Sequence, residues 1–276
     1  MTLGFVPSDA GLLLLQAGCV AAPRAIPRVG WLQRFHGWGW ALVPIASIVG
    51  VIFAIRYASD TATWLTYLAL VAVPPLAAVA LGWAMRGSKP LFALGAVPLF
   101  VIAWASKDSL VGGTAGSVLA ALSCVTLGVL LAAVTPSGWL KVGILLMAGA
   151  DVWLVSSDLL QNPNATLVAA QPVGHLPQLQ DAVFGTAVMG YGDLFVAGVL
   201  GAVLASSRRL QLSGALLTLV LAGAFDLLFF VIDELPATVP VALALITLEV
   251  WERRSRVLSA FRRRSRPAAA TPRRAT

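Results

Sequence analysis

The run DAVFGTAVMGYGDLFVAGVLGAVLA, from Asp181 to Ala205, decides how this chain is read. About 20 apolar residues suffice to carry a helix across about 30 Å of hydrocarbon, so the run is read as one membrane-spanning helix. Asp193 then falls deep inside it, at the end of Gly190-Tyr191-Gly192-Asp193. An ionisable side chain at that depth costs several kcal/mol even by the lower estimates, which makes it a functional candidate by default.

The rest of the chain fits the same reading. Of 276 residues, 59% are hydrophobic and 11% charged, and the mean hydropathy is +0.87. A soluble domain is excluded, because a globular core needs a charged wrapping that is missing here. Hydropathy places spans at 9–23, 38–57, 62–85, 90–106, 111–134, 139–161, 181–205, 211–232 and 235–251. The expected fold is therefore all-α and polytopic, with about nine transmembrane helices. Residues 1–135 hold the first five, 136–252 the remaining four, and 253–276 a basic tail expected to be disordered. Pro74 and Pro75 are expected to kink the third span, since each removes a backbone donor. No basic n-region precedes Ala10–Ala22, so that run is read as a retained first helix rather than a cleaved signal. Parity alone does not separate eight spans from nine.

Charge sets the orientation. Arg24, Arg28 and Arg34 fall in the first loop, Arg86 and Lys89 in the third, Lys141 near the fifth, and Arg208 and Arg209 in the seventh. Arg56 and Lys107 alone mark the intervening loops, and the sixth loop, 162–180, has none. The positive-inside rule then puts the N-terminus outside and the C-terminus in the cytoplasm. The tail arginines (Arg253, Arg254, Arg256, Arg262, Arg263, Arg264, Arg266, Arg273 and Arg274) suit anionic headgroups. Without a folded module or interleaved aromatics, no nucleic-acid partner is expected. The sixth loop is read as a connector, with a flap as the sharper alternative. Trp31, Phe35, Trp38 and Trp40 read as an interfacial belt. High Ala, Leu and Arg content points to a prokaryotic plasma membrane.

A second aspartate matches the first. Asp151 lies ten residues from Lys141, about 15 Å along a helix, and Asp193 lies twelve from Ala205, about 18 Å. One loop joins the two helices, so they run antiparallel and the carboxyls arrive at one level. Two carboxyls within a few ångströms share one proton. The ionised member then activates water while the other donates to a carbonyl, with no metal or cofactor. Gly190 and Gly192 allow close backbone approach beside Asp193. Cys19 and Cys124 read as small buried hydrophobes, and His175 has no companions at ligand spacing, so no metal site is expected.

Residues 139–251 resemble the catalytic half of the presenilin and signal peptide peptidase family of intramembrane aspartyl proteases. Ala150-Asp151 stands where that family has Tyr-Asp, Gly190 to Asp193 matches its Gly-x-Gly-Asp, and Pro236-Ala237-Thr238 stands where it has Pro-Ala-Leu. The resemblance implies hydrolysis of peptide bonds within transmembrane-helix substrates by an Asp151–Asp193 dyad. Gly190, Tyr191, Gly192, Pro236, Ala237 and Thr238 would line the substrate. The N-out, C-in orientation read from charge resembles signal peptide peptidase rather than presenilin, which implies substrates whose own N-terminus faces the cytoplasm. Ala150 and Thr238 depart from the family pattern, which leaves a non-proteolytic relative as one alternative.

Two other readings compete. Val188 to Asp193 resembles the potassium-channel filter, but twelve helical residues after a surface-level Asp193 reach only about 18 Å, too short to span. A proton- or cation-coupled transporter would use Asp158, Asp181, Asp226, Asp233 and Glu234 as an acidic outer vestibule leading to Asp151 and Asp193. No inverted repeat between the halves supports it. Glu249 is read as interfacial.

Overall fold

Apolar stretches cut off from water must satisfy their backbone internally, and this chain does so mostly as helix. The computed structural model describes residues 7–25, 37–44, 46, 50, 61–157, 166–167, 169–170, 172, 176–230 and 235–264. Most of the second predicted span lies outside these residues. So do Trp31, Phe35, Arg28, Arg34, Arg56, Asp158, His175, Asp233 and Glu234, and the chain after 264.

The helices are α1 (Pro7–Ala21), α2 (Thr61–Val79), α3 (Ala96–Ala105), α4 (Leu110–Val134), α5 (Ser137–Ser156), α6 (Tyr191–Leu204), α7 (Arg208–Asp226) and α8 (Val239–Arg264). Short 3₁₀ turns cover Trp38–Ala41, Pro90–Gly95 and Leu227–Phe230. α2 runs straight through Pro74 and Pro75 as helix and loosens just beyond them into a π turn, Ala80–Ala84. α8 carries helical backbone into the segment read as tail, as far as Arg264.

Three helices among the described residues are long and apolar enough to cross a membrane: Thr61–Ala84, Leu110–Val134 and Ser137–Ser156. Nine membrane-length helices are not found among the described residues. Asp9–Ala21, Pro90–Ala105 and Tyr191–Leu204 are apolar but shorter. α7 has the length but carries Arg208, Arg209, Gln211 and Asp226.

The largest correction concerns the stretch that opened the sequence reading. Residues 181–205 are not one helix. β1 (Asp181–Phe184) and β2 (Ala187–Gly190) form an antiparallel hairpin, and only from Tyr191 does helix begin. Phe184 pairs with Ala187 across a two-residue turn, in which Gly185 takes φ 64°, a conformation open to glycine. Val183, Phe184 and Val188 favour pleated backbone, and Gly190, extended at ψ 147°, starts the helix. Hydropathy alone could not register this change, because both states are apolar.

The hairpin is held by α4. Ser117 Oγ accepts from the Val183 amide at 2.7 Å and donates to its carbonyl at 2.8 Å. Below it, α6 is packed between α4 and α1 through glycine. A methyl at Gly198 would lie 2.6 Å from the Cys124 carbonyl oxygen, and one at Gly201 2.4 Å from that of Val20. Small residues bring backbones this close where helices lack a water-driven force. α6 is correspondingly buried along most of its length, including Leu194, Val196, Ala197 and Leu200.

Contacts along the bundle fix relative direction. Tyr191 meets Ser123 and Gly198 packs near Gly128, so α4 and α6 are parallel. Thr238 meets Asp151 and Glu249 meets Lys141, so α5 and α8 are antiparallel. Arg24, Arg86 and Arg208 gather at one end, where Arg86 Nε donates to Gln211 at 2.8 Å and Arg208 to the Ala21 carbonyl at 2.7 Å. Asp9 and Asp226 lie at the other end and act on each other electrostatically.

Candidate functional site

Asp151 lies near the end of α5, and Asp193 in the first turn of α6. The two carboxyls come close enough for the charge of Asp151 to bear on Asp193. Both are half-buried. Among the described residues they share no direct hydrogen bond.

The contacts of Tyr191 give the height of Asp193 along α4. Tyr191 touches Ser123 and Cys124, fourteen residues from the Leu110 end of α4 and ten from Val134, about 21 and 15 Å respectively. Asp193 therefore stands near the middle of a membrane-length helix, with the hairpin rather than more helix above it. Asp151 lies ten residues from Lys141, whose ammonium pairs with Glu249.

Both carboxyls lie beside helix N-termini, where unpaired amides and the helix dipole favour negative charge. Asp193 occupies the first turn of its own helix. Asp151 lies across the start of α8. Its Oδ2 accepts the Thr238 hydroxyl at 2.6 Å and the Thr238 backbone N–H at 3.4 Å. Pro240, in the first turn of α8, removes no hydrogen bond there. A buried aspartate within a continuous helix would have none of these donors.

The other predicted site residues divide between the two carboxyls and the scaffold. The Gly190 backbone lies against the Asp193 carboxyl, and a methyl at Gly190 would stand 3.2 Å from Asp193 Oδ2. Gly192 separates Tyr191 from Asp193 on the first turn of α6. Tyr191 is turned toward α4: its hydroxyl bonds Ser123 Oγ at 2.7 Å, and its carbonyl accepts from Cys124 Sγ at 3.6 Å. Pro236 accepts from the Val239 amide at 3.2 Å, closing the turn that carries Thr238. Ala237 receives a hydrogen bond from α1, where Gln16 Nε2 meets its carbonyl at 2.9 Å.

Of the acids proposed for an outer vestibule, Asp181 acts electrostatically on Asp193, whereas Asp226 faces Asp9. Asp181 lies on the hairpin, at the position that pairs with Gly190. A narrow apolar cleft opens one turn below the two carboxyls, between α5 and α6, lined by Ile144, Met147, Phe195 and Val199 with Ala41 and Pro44. The opposite face of α5 (Trp139, Val142, Leu146, Trp153) is exposed. Among the described residues no three His, Cys, Asp or Glu side chains converge to hold a metal ion.

Sequence reasoning missed three parts of this site: the hairpin, the Thr238–Asp151 contact and Gln16. Phe184-Gly185-Thr186 was the available signal for the first, and an amide inside an apolar run for the last. Thr238 had been noted as a departure from a motif, with no partner assigned. The chain matches no protein-family model, no curated protein and no solved structure.

Proposed function

We propose that this chain is an intramembrane aspartyl protease, and that Asp151 and Asp193 hydrolyse peptide bonds of transmembrane helices. The observation that carries the reading is the pair itself: two carboxyls from separate helices, close enough to act on each other, each beside a helix N-terminus. The motif resemblance to presenilin and signal peptide peptidase points the same way.

Thr238 divides the roles. A backbone N–H can only donate, so Oδ2 of Asp151 is an acceptor, and the hydroxyl adds a second donor to the same atom. Two donors on one carboxyl favour its ionised form, and on that ground we assign Asp151 as the base and Asp193 as the protonated acid. Water attacks the scissile carbonyl carbon, giving its proton to Asp151 Oδ1 while Asp193 protonates the carbonyl oxygen. Asp151 then passes its proton to the amide nitrogen as the C–N bond breaks. Asp193 takes back a proton from the diol as the new carboxyl forms, and both residues return to their starting states.

The hairpin supplies a place for an unwound substrate. Ser117 occupies both backbone groups of Val183, so Val183 and its partner Val188 form a non-hydrogen-bonded pair. The N–H and carbonyl of Val188 therefore face the outer edge of β2, which an extended peptide can join as a further strand. That edge leads directly to Gly190 and Asp193.

The gathering of Arg24, Arg86 and Arg208 at one end supports an N-out, C-in arrangement, and composition is the ground for a prokaryotic plasma membrane. Shorter helices and the hairpin share the depth in this arrangement. Tail arginines then meet anionic headgroups. The test is cleavage of a transmembrane reporter helix in lipid vesicles. Wild type should cut, and Asp151→Asn and Asp193→Asn should each lose at least about a thousandfold. Ion flux through the vesicles that needs both aspartates, with no helix cut, would refute the protease in favour of a coupled transporter.

A further inference from the structure

Gln16 is an amide within an apolar helix, 1% exposed, and its side chain reaches a residue 221 positions away in the sequence. Its Nε2 donates to the Ala237 carbonyl at 2.9 Å. That carbonyl and the Thr238 N–H belong to one peptide group. Since the group is planar and trans, its two polar ends point in opposite directions. Gln16 holds one end, and the other points at Asp151 Oδ2, 3.4 Å from the nitrogen. Donation into a carbonyl also strengthens the N–H of the same unit as a donor.

We propose that Gln16 is a positioning residue of the aspartate site, acting through the Ala237–Thr238 peptide to hold both Thr238 donors on Asp151. The proposal rests on the protease reading for its catalytic consequence, but not for its structural one. Among the described residues, Gln16 and Asp151 alone reach this turn by hydrogen bonds from other elements. Pro236, just before it, has no amide with which to brace the turn. α1 is itself a firm base: Cys19 Sγ bonds the Ala121 carbonyl at 3.7 Å, and Gly201 of α6 packs onto the Val20 carbonyl. The remaining oxygen of Gln16 is buried with no hydrogen-bond partner among the described residues, so the contact to Ala237 is the one its amide makes among them. The first helix, short and dispensable by hydropathy, thereby becomes part of the site.

The experiment compares full-length wild type, Gln16→Met, Gln16→Glu and Thr218→Val in lipid vesicles. Met keeps the length and removes the donor. Glu can donate to Ala237 only when protonated. Thr218 is a fully buried hydroxyl on α7 that does not touch the turn, and serves as the control. Amide hydrogen exchange across 235–242 should quicken about fivefold to tenfold in Gln16→Met, the loss of one neutral hydrogen bond, and stay unchanged in Thr218→Val. Turnover of the reporter helix should fall about tenfold in kcat with KM nearly constant, and Gln16→Glu should recover toward wild type as pH is lowered. Unchanged exchange in Gln16→Met overturns the proposal, whatever the activity. A raised KM at constant kcat, or equal loss in Met and Glu at every pH, overturns the catalytic role. If wild type cuts nothing while exchange responds as expected, the relay stands and the protease reading fails.

Discussion

Thr238→Val is the most direct probe of how the two carboxyls are arranged. The substitution keeps the shape of a side chain that is only 4% exposed, so packing changes little. What it removes is one hydroxyl donor, 2.6 Å from Asp151 Oδ2. A hydrogen bond to a charged group is worth about 1.5–3 kcal/mol, and about 1.4 kcal/mol corresponds to a decade in rate. The backbone N–H at 3.4 Å stays, so Asp151 is weakened as a base rather than abolished. Turnover of a transmembrane reporter should fall roughly tenfold to a hundredfold in kcat, with KM within about twofold. Thr238→Ser restores the hydroxyl and should return to within about threefold of wild type. Thermal unfolding in detergent, followed by tryptophan fluorescence, checks that Val and wild type melt together. Wild-type turnover in the Val variant, or equal loss in Ser and Val, would refute the assignment of Asp151 as the base held by Thr238.

Gly198→Ala places a methyl 2.6 Å from the Cys124 carbonyl oxygen, a backbone atom that cannot rotate away. α4 and α6 must part, and thermal unfolding should report a loss of about 1–3 kcal/mol or more. Ser117→Ala strips both partners from Val183, leaving its N–H and carbonyl unpaired. The hairpin should lose about 1–3 kcal/mol, read as faster exchange of the Val183 amide with the helices unaffected.

Composition and hydropathy were enough to make this a mostly helical chain with membrane-length segments, because apolar length is a one-dimensional property. They located Asp151 and Asp193 for the same reason: a charge stands out against twenty apolar neighbours. The matched depth was legible too, since rise per residue converts sequence distance into height. The hairpin was not. Val183, Val188 and Met189 are as apolar in a strand as in a helix, and the change of state depends on a two-residue turn at Gly185 and on Ser117, 66 positions away. Nor was the environment of Asp151, whose donors come from Thr238, 87 positions on.

What the sequence determined by itself was that two aspartates stand among apolar runs where they could not rest in lipid unaided. Only the tertiary structure decided what satisfies them. A buried polar atom is satisfied by geometry within about 3 Å, and such distances are set where helices cross, not where residues adjoin. The bundle brings the start of α8 to Asp151, ends the strand at Gly190 so that Asp193 opens a helix, and lays Gln16 against the Ala237–Thr238 peptide.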